Sequence, residues 1–332
     1  MQKLRLMLKN KKFVFYIIII ALFIKLFLFV FSVTFYPQGK FQADSRDYIN
    51  TGMMIVSQGA FAQNYDGALV FESRRTPGYP LFLGVLIGLL KVPLSGVIFL
   101  QILLTLATAF ITYKAAFEID ESIAFLSGLI VLYSPIVTIN SLRILTETLF
   151  LFLLSIFLLL FIHYLKSKKI KLVIWSAILL VLATYVRPIS YYLPIAVAIF
   201  IVLANIKHKF WRAILHVLIF LFVAYFLLGI WQIRNYRHFH RNVFTHFQNI
   251  ISYHSPMHSY MKKNNHFNKG LVMIPFYVDL ISRSFISLMT EPGSLKYFHC
   301  RALTIVGKIF GYAFVIFWWT GFLIGLTKIK RN

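Results

Sequence analysis

Long apolar runs separated by short polar, mostly basic breaks dominate this chain. A helix of about 20 residues crosses a 30 Å hydrocarbon core, and runs of roughly 15 to 21 residues recur along the sequence. The pattern predicts helices over residues 13–33, 97–117, 122–140, 148–165, 172–186, 189–203, 214–231 and 304–326. The fold class is therefore an all-α polytopic membrane protein, a bundle of about eight transmembrane helices.

Two connections are too long to be simple turns, 34–96 and 234–303, and long loops usually carry function. The first contains a ten-residue apolar stretch, 81–90, short enough to read as an interfacial or re-entrant helix. Counting it as a span would invert every later loop. No internal repeat is evident, which argues against inverted-repeat transporters. The expected organisation is a transmembrane module over 1–236 that includes the outer loop 34–96, a second outer loop over 237–303, and a last helix with its tail over 304–332.

Composition sharpens this picture. Hydrophobic residues make up 59% of the 332 and charged residues 13%, against about a quarter charged in soluble domains. Lys and Arg number 34 and Asp and Glu 10, for a net charge of +24. The basic residues gather before the first run (Lys3, Arg5, Lys9), in 166–171 and 207–212, and at Lys328, Lys330 and Arg331. Short basic loops mark the cytoplasmic side, so both termini are expected inside a plasma (inner) membrane and the long loops outside. The second long loop is basic too, but long loops count little in that rule. Lipid and topology explain the charge, and no nucleic-acid motif accompanies it. With Cys300 as the single cysteine, neither an intramolecular disulfide nor a cysteine zinc cluster can form. The first apolar run is too long for a secretory signal and lacks an A-x-A-like site, so it reads as a retained helix.

Chemistry concentrates in the first outer loop, which holds Asp44, Asp47, Asp66 and Glu72 of the 10 acids. Asp44 stands just after the first helix leaves the membrane, where a carboxylate could act as a general base or as a ligand for a divalent cation; a solvated loop acid is the bland alternative. The loop ends in Arg74-Arg75-Thr76-Pro77-Gly78-Tyr79-Pro80, an abrupt turn whose arginines could pair with a phosphate. Glu147 opens an apolar run, where the helix dipole alone favours an acid by about 0.3 to 1 kcal/mol. Arg187-Pro188 divides two runs of about 15 residues, so an arginine sits near membrane depth, to bind an anion or to snorkel. Arg234 lies beside the aromatic boundary residues Trp231 and Tyr236. Seven of the 10 histidines fall between His238 and His299 without an HExxH or compact acid set, and no phosphate loop or nucleophile elbow is present.

In order, Asp44-x-x-x-Tyr48, Arg75-Thr76-Pro77-Gly78-Tyr79-Pro80-Leu81, Leu145-Thr146-Glu147-Thr148-Leu149-Phe150, Val186-Arg187-Pro188 and Trp231-Gln232-Ile233-Arg234-Asn235-Tyr236 resemble the bacterial protein-mannosyltransferase-like, or family 39, glycosyltransferases of the GT-C fold. The likeness runs over about residues 13–236. It implies transfer of a sugar from a polyprenyl-phosphate donor to an extracytoplasmic protein, lipid or glycan acceptor, with no nucleotide sugar. It also implies Asp44 as the catalytic carboxylate, Glu147 as the second acid, Arg187 with Arg75 and Arg234 toward the donor phosphate, and Asp47, Tyr48 and Tyr79 lining the site. No cofactor is required by this reading, and a divalent cation is left open. Competing readings are a lipid-linked sugar transporter or flippase, which would place charges inside the bundle, and a non-catalytic membrane subunit, which would tolerate Asp44→Asn.

Overall fold

A computed structural model describes residues 11–65, 68–204, 210–241 and 243–245. The expected helix at 304–326 and most of the second long loop lie outside the described residues. Apart from Ser134–Ile136, the residues described below belong to one compact unit within Met1–Tyr133 and Val137–Gln248.

Among the described residues the apolar runs are helical, although 122–140 breaks into two helices and 189–203 starts with a short 3-10 turn over Pro188–Ser190. They form α1 (Lys11–Phe35), α4 (Leu94–Ile119), α5 (Glu121–Tyr133), α6 (Pro135–Ser141), α7 (Glu147–Ser167), α8 (Ile170–Val186), α9 (Leu193–Leu203) and α10 (Phe210–Phe239). Of these, α1, α4, α7 and α10 are each long and apolar enough to cross a membrane, and α5 with α6 is so only as a pair, bent by 48°. The break falls before Pro135, whose ring cannot continue the preceding helix without losing a backbone bond.

Exposed Phe, Leu and Ile cover the outside of α1 and α10, a surface suited to lipid rather than water. The largest buried cluster joins α7, α8, α9 and α10 through Phe157, Phe161, Leu180, Ile201, Phe220 and Leu228. Within the apolar layer Lys25 of α1 is buried and donates to the Thr138 hydroxyl at 2.8 Å, which supplies the polar partner a cation needs there.

The loop 34–96 is more ordered than its sequence suggests. It contains helix α2 (Ser45–Gln58), a hairpin of β1 (Ala62–Tyr65) and β2 (Ala68–Phe71), and the short α3 (Gly78–Leu83), which continues as wider π-type turns over Gly84–Leu89. α2 packs along α3 at very close range. A Cβ on Gly52 would come within 2.5 Å of the Pro80 carbonyl oxygen, so glycine is what allows the contact.

Candidate functional site

α2 starts where Asp44 takes the N-cap position, yet the Asp44 carboxylate makes no capping bond. It turns instead to the Arg75 guanidinium, 2.6 Å away, and Asp47 reaches the same nitrogen at 3.2 Å. Arg75 also lies over the Tyr48 ring, 5.1 Å from its centroid. Burial works against the charged form of Arg75, but Tyr48, Asp44 and Asp47 outweigh it and hold the pKa above the usual arginine value.

A second pair faces the first. Arg187 ends α8 in an extended conformation imposed before Pro188, and its guanidinium meets Glu147 at 2.6 Å. Backbone ties bring the two pairs to one place. The Ser45 hydroxyl donates to the Ile144 carbonyl at 2.8 Å, and the Ile144 N–H donates to the Lys40 carbonyl at 2.9 Å, which joins the start of α2 to the bend that leads into Glu147. The Thr76 hydroxyl donates to the Val186 carbonyl at 3.3 Å, which joins the Arg75 turn to the end of α8. The Gly78 backbone runs against Tyr185 and Val186 so closely that a Cβ would fall 2.7 Å from the Tyr185 carbonyl.

Tyr48 stands between the pairs. Burial raises its hydroxyl pKa, with Asp44 and Glu147 adding to the rise and Arg75 and Arg187 opposing it, so one hydroxyl senses all four charges. Tyr79 packs edge-on to Tyr48 with ring centroids 5.2 Å apart, and its hydroxyl donates to Gln101 Oε1 at 2.7 Å. The Gln101 amide in turn donates to the carbonyls of Ser141 and Arg143. This buried amide of α4 therefore ties the tyrosine floor of the site to the α6–α7 bend.

Arg234 occupies a neighbouring position. Its guanidinium donates to the carbonyls of Glu72 and Phe61, each at 2.8 Å, and lies over the rings of Trp231, Phe61, Phe239 and Phe71. It fastens the hairpin to the end of α10. A cavity of about 280 Å³ opens beside it, lined by Ser73, Asn235, Phe239, Arg241 and Val243 rather than by the two ion pairs.

The structure thus brings Asp44, Asp47, Tyr48, Arg75, Tyr79, Glu147 and Arg187 together and leaves Arg234 one layer away. Sequence reasoning passed over Ser45, Gln63 and Gln101, and counted Glu72 only among the loop acids. Gln101 had a signal, as an amide inside an apolar run. Among the described residues no group of three or more His, Cys, Asp or Glu side chains gathers as a metal site would. Asp44 and Asp47 instead share a guanidinium, which can hold two carboxylates or, alternatively, a phosphate.

Residues 74–231 match the family described as dolichyl-phosphate-mannose-protein mannosyltransferase. No curated protein and no solved structure matches the chain.

Proposed function

We propose that this membrane protein, whose residues 74–231 match the protein-mannosyltransferase family model, is a glycosyltransferase that moves a sugar from a polyprenyl-phosphate donor to an acceptor on the outer face of the membrane. The observation that carries the reading is the pair of carboxylate–guanidinium contacts, Asp44–Arg75 and Glu147–Arg187, set around Tyr48.

Each residue has a task in that reaction. Arg75 and Arg187 take the donor phosphate, whose negative charge grows as the sugar leaves, and charge-assisted bonds stabilise that leaving group. Asp44, 46% exposed and next to solvent, accepts the proton of the acceptor hydroxyl or amine. Glu147 holds Arg187 in place and provides the second acid, and Asp47 balances Arg75. Tyr48 and Tyr79 form the floor, and Arg234 supports the loop from behind. Asp44 is the exposed partner of its pair, so a phosphate arriving from solvent can take the place of its carboxylate on Arg75. The exchange also frees Asp44 to act as a base.

The test compares wild type with Asp44→Asn in membranes given radiolabelled polyprenyl-phosphate sugars, with label on endogenous acceptors as the readout. Loss of transfer in the variant is the expected result. Transfer that survives the substitution removes Asp44 as the base, and a wild type inert with every donor moves the reading to transport or a subunit role.

A further inference from the structure

Glu72 is a charged residue that the reaction above does not use. It is 4% exposed and directly follows β2. Burying a carboxylate costs several kcal/mol unless its oxygens are satisfied, so its partners show what it is there for. One oxygen, Oε1, accepts the backbone N–H groups of Arg74 at 2.6 Å and Arg75 at 3.3 Å. The other, Oε2, accepts the Gln63 amide from the facing strand at 2.5 Å. The Glu72 N–H donates to the Phe61 carbonyl at 3.1 Å, and its own carbonyl receives Arg234. Two successive N–H groups aimed at one anion form a backbone nest. Glu72 fills that nest, and the bound nest fixes the direction in which the chain enters Arg75.

We propose that Glu72 is a positioning residue, holding the Arg74–Arg75 backbone so that the Arg75 guanidinium stands ready for the donor phosphate. The inference rests on the assignment of Arg75 given above. Glu72 does not touch the reacting atoms, and its role is that of an acceptor of two N–H bonds rather than of a charge or a proton carrier. The hairpin supports it, because Gln63 on β1 holds the second carboxylate oxygen and Arg234 on α10 holds the Glu72 backbone carbonyl.

An acceptor role separates the substitutions. Glu72→Gln keeps an oxygen for the two N–H groups, and the Gln63 amide can turn to meet the new side chain. Glu72→Ala leaves the nest empty. Transfer activity, donor KM and hydrogen exchange of the peptide covering 72–78 are measured for both variants and for Arg75→Ala. The expected result is near-normal transfer in Glu72→Gln. In Glu72→Ala transfer should fall roughly 100-fold, the scale of a misplacement by about 1 Å, with donor KM raised and amide exchange faster at Arg74 and Arg75. The double variant Glu72→Ala/Arg75→Ala should be no worse than Arg75→Ala alone. Equal losses in Gln and Ala would overturn the proposal by assigning Glu72 a charge or proton role, and unchanged exchange in Glu72→Ala would overturn it by showing that the nest holds without the carboxylate. If wild type transfers nothing, the glycosyltransferase reading fails, and the exchange measurement by itself decides whether Glu72 holds the turn.

Discussion

Arg187 shows how much of a site single residues reveal. A cation between two short apolar runs had to find a partner or a ligand. The structure supplies Glu147 at 2.6 Å, a residue whose own sequence signal was only that of an acid at a helix start. The charges of Asp44, Arg75, Glu147 and Arg187 were conspicuous because their surroundings are apolar. Which oxygen meets which nitrogen was not, since that depends on chain segments about a hundred residues apart, such as Ser45 and Ile144. Glu72 looked like any loop acid for the same reason. Arg187→Lys tests the guanidinium itself. Lysine keeps the charge but loses the fork, so donor KM should rise roughly tenfold, the equivalent of about 1.4 kcal/mol, with little change in thermal stability. Tyr48 gives a pH test. Its folded pKa is raised, so the stability it contributes is intact below the ordinary tyrosine value of about 10 and is lost as pH climbs through the folded value. Wild type should therefore lose more thermal stability than Tyr48→Phe between neutral and strongly alkaline pH, as read by unfolding in detergent.

Elements set these residues in place through close backbone contact. The motif 74–80 announced an abrupt turn by its two prolines and glycine, and the structure puts Gly78 against the end of α8. That contact holds Arg75 and Arg187 on facing walls. Gly78→Ala drives a Cβ to 2.7 Å from the Tyr185 backbone, where no flexible side chain can yield. Overpacking of this kind costs about 1 to 3 kcal/mol, so the unfolding midpoint should drop, and transfer should fall further than the midpoint alone explains because the two walls separate. A variant with unchanged stability and activity would mean that the contact does not set the site. The other elements of the loop were less legible. α2 mixes polar and small residues, Ser45 through Gln58, with only a modest apolar face, and a hydropathy scan passes over it. The hairpin strands have four residues each, although Asp66-Gly67 between them is a recognised short-range hairpin signal.

At the scale of the molecule, the contacts fix the parity of the crossings. Asp44, Arg75, Glu147 and Arg187 meet at one face, and Arg234 touches Glu72 there. α4, the bent α5–α6 span and α7 must therefore carry the chain away from that face, back to it and away again. α8 then returns to it, since Arg187 at its end meets Glu147 at the start of α7, even though α8 is short for a span. The same reasoning requires α3 with its π-type continuation to enter and leave on one side, as the ten-residue apolar stretch suggested. Hydropathy placed the apolar helices among the described residues but joined α5 and α6 into one run; the contacts give the sidedness of the short ones. Cysteine labelling in a Cys300→Ser chain tests this. Gln58, exposed at the end of α2, and Ser167, exposed at the end of α7, are replaced by cysteine one at a time and treated with a membrane-impermeant maleimide. Gln58→Cys should label in intact cells, and Ser167→Cys only once the membrane is opened, because three crossings separate them. Labelling from the same side would break the parity on which the shared site depends. A reversed pattern would keep the parity but turn the site toward the cytoplasm, where the acceptor would have to be an intracellular one.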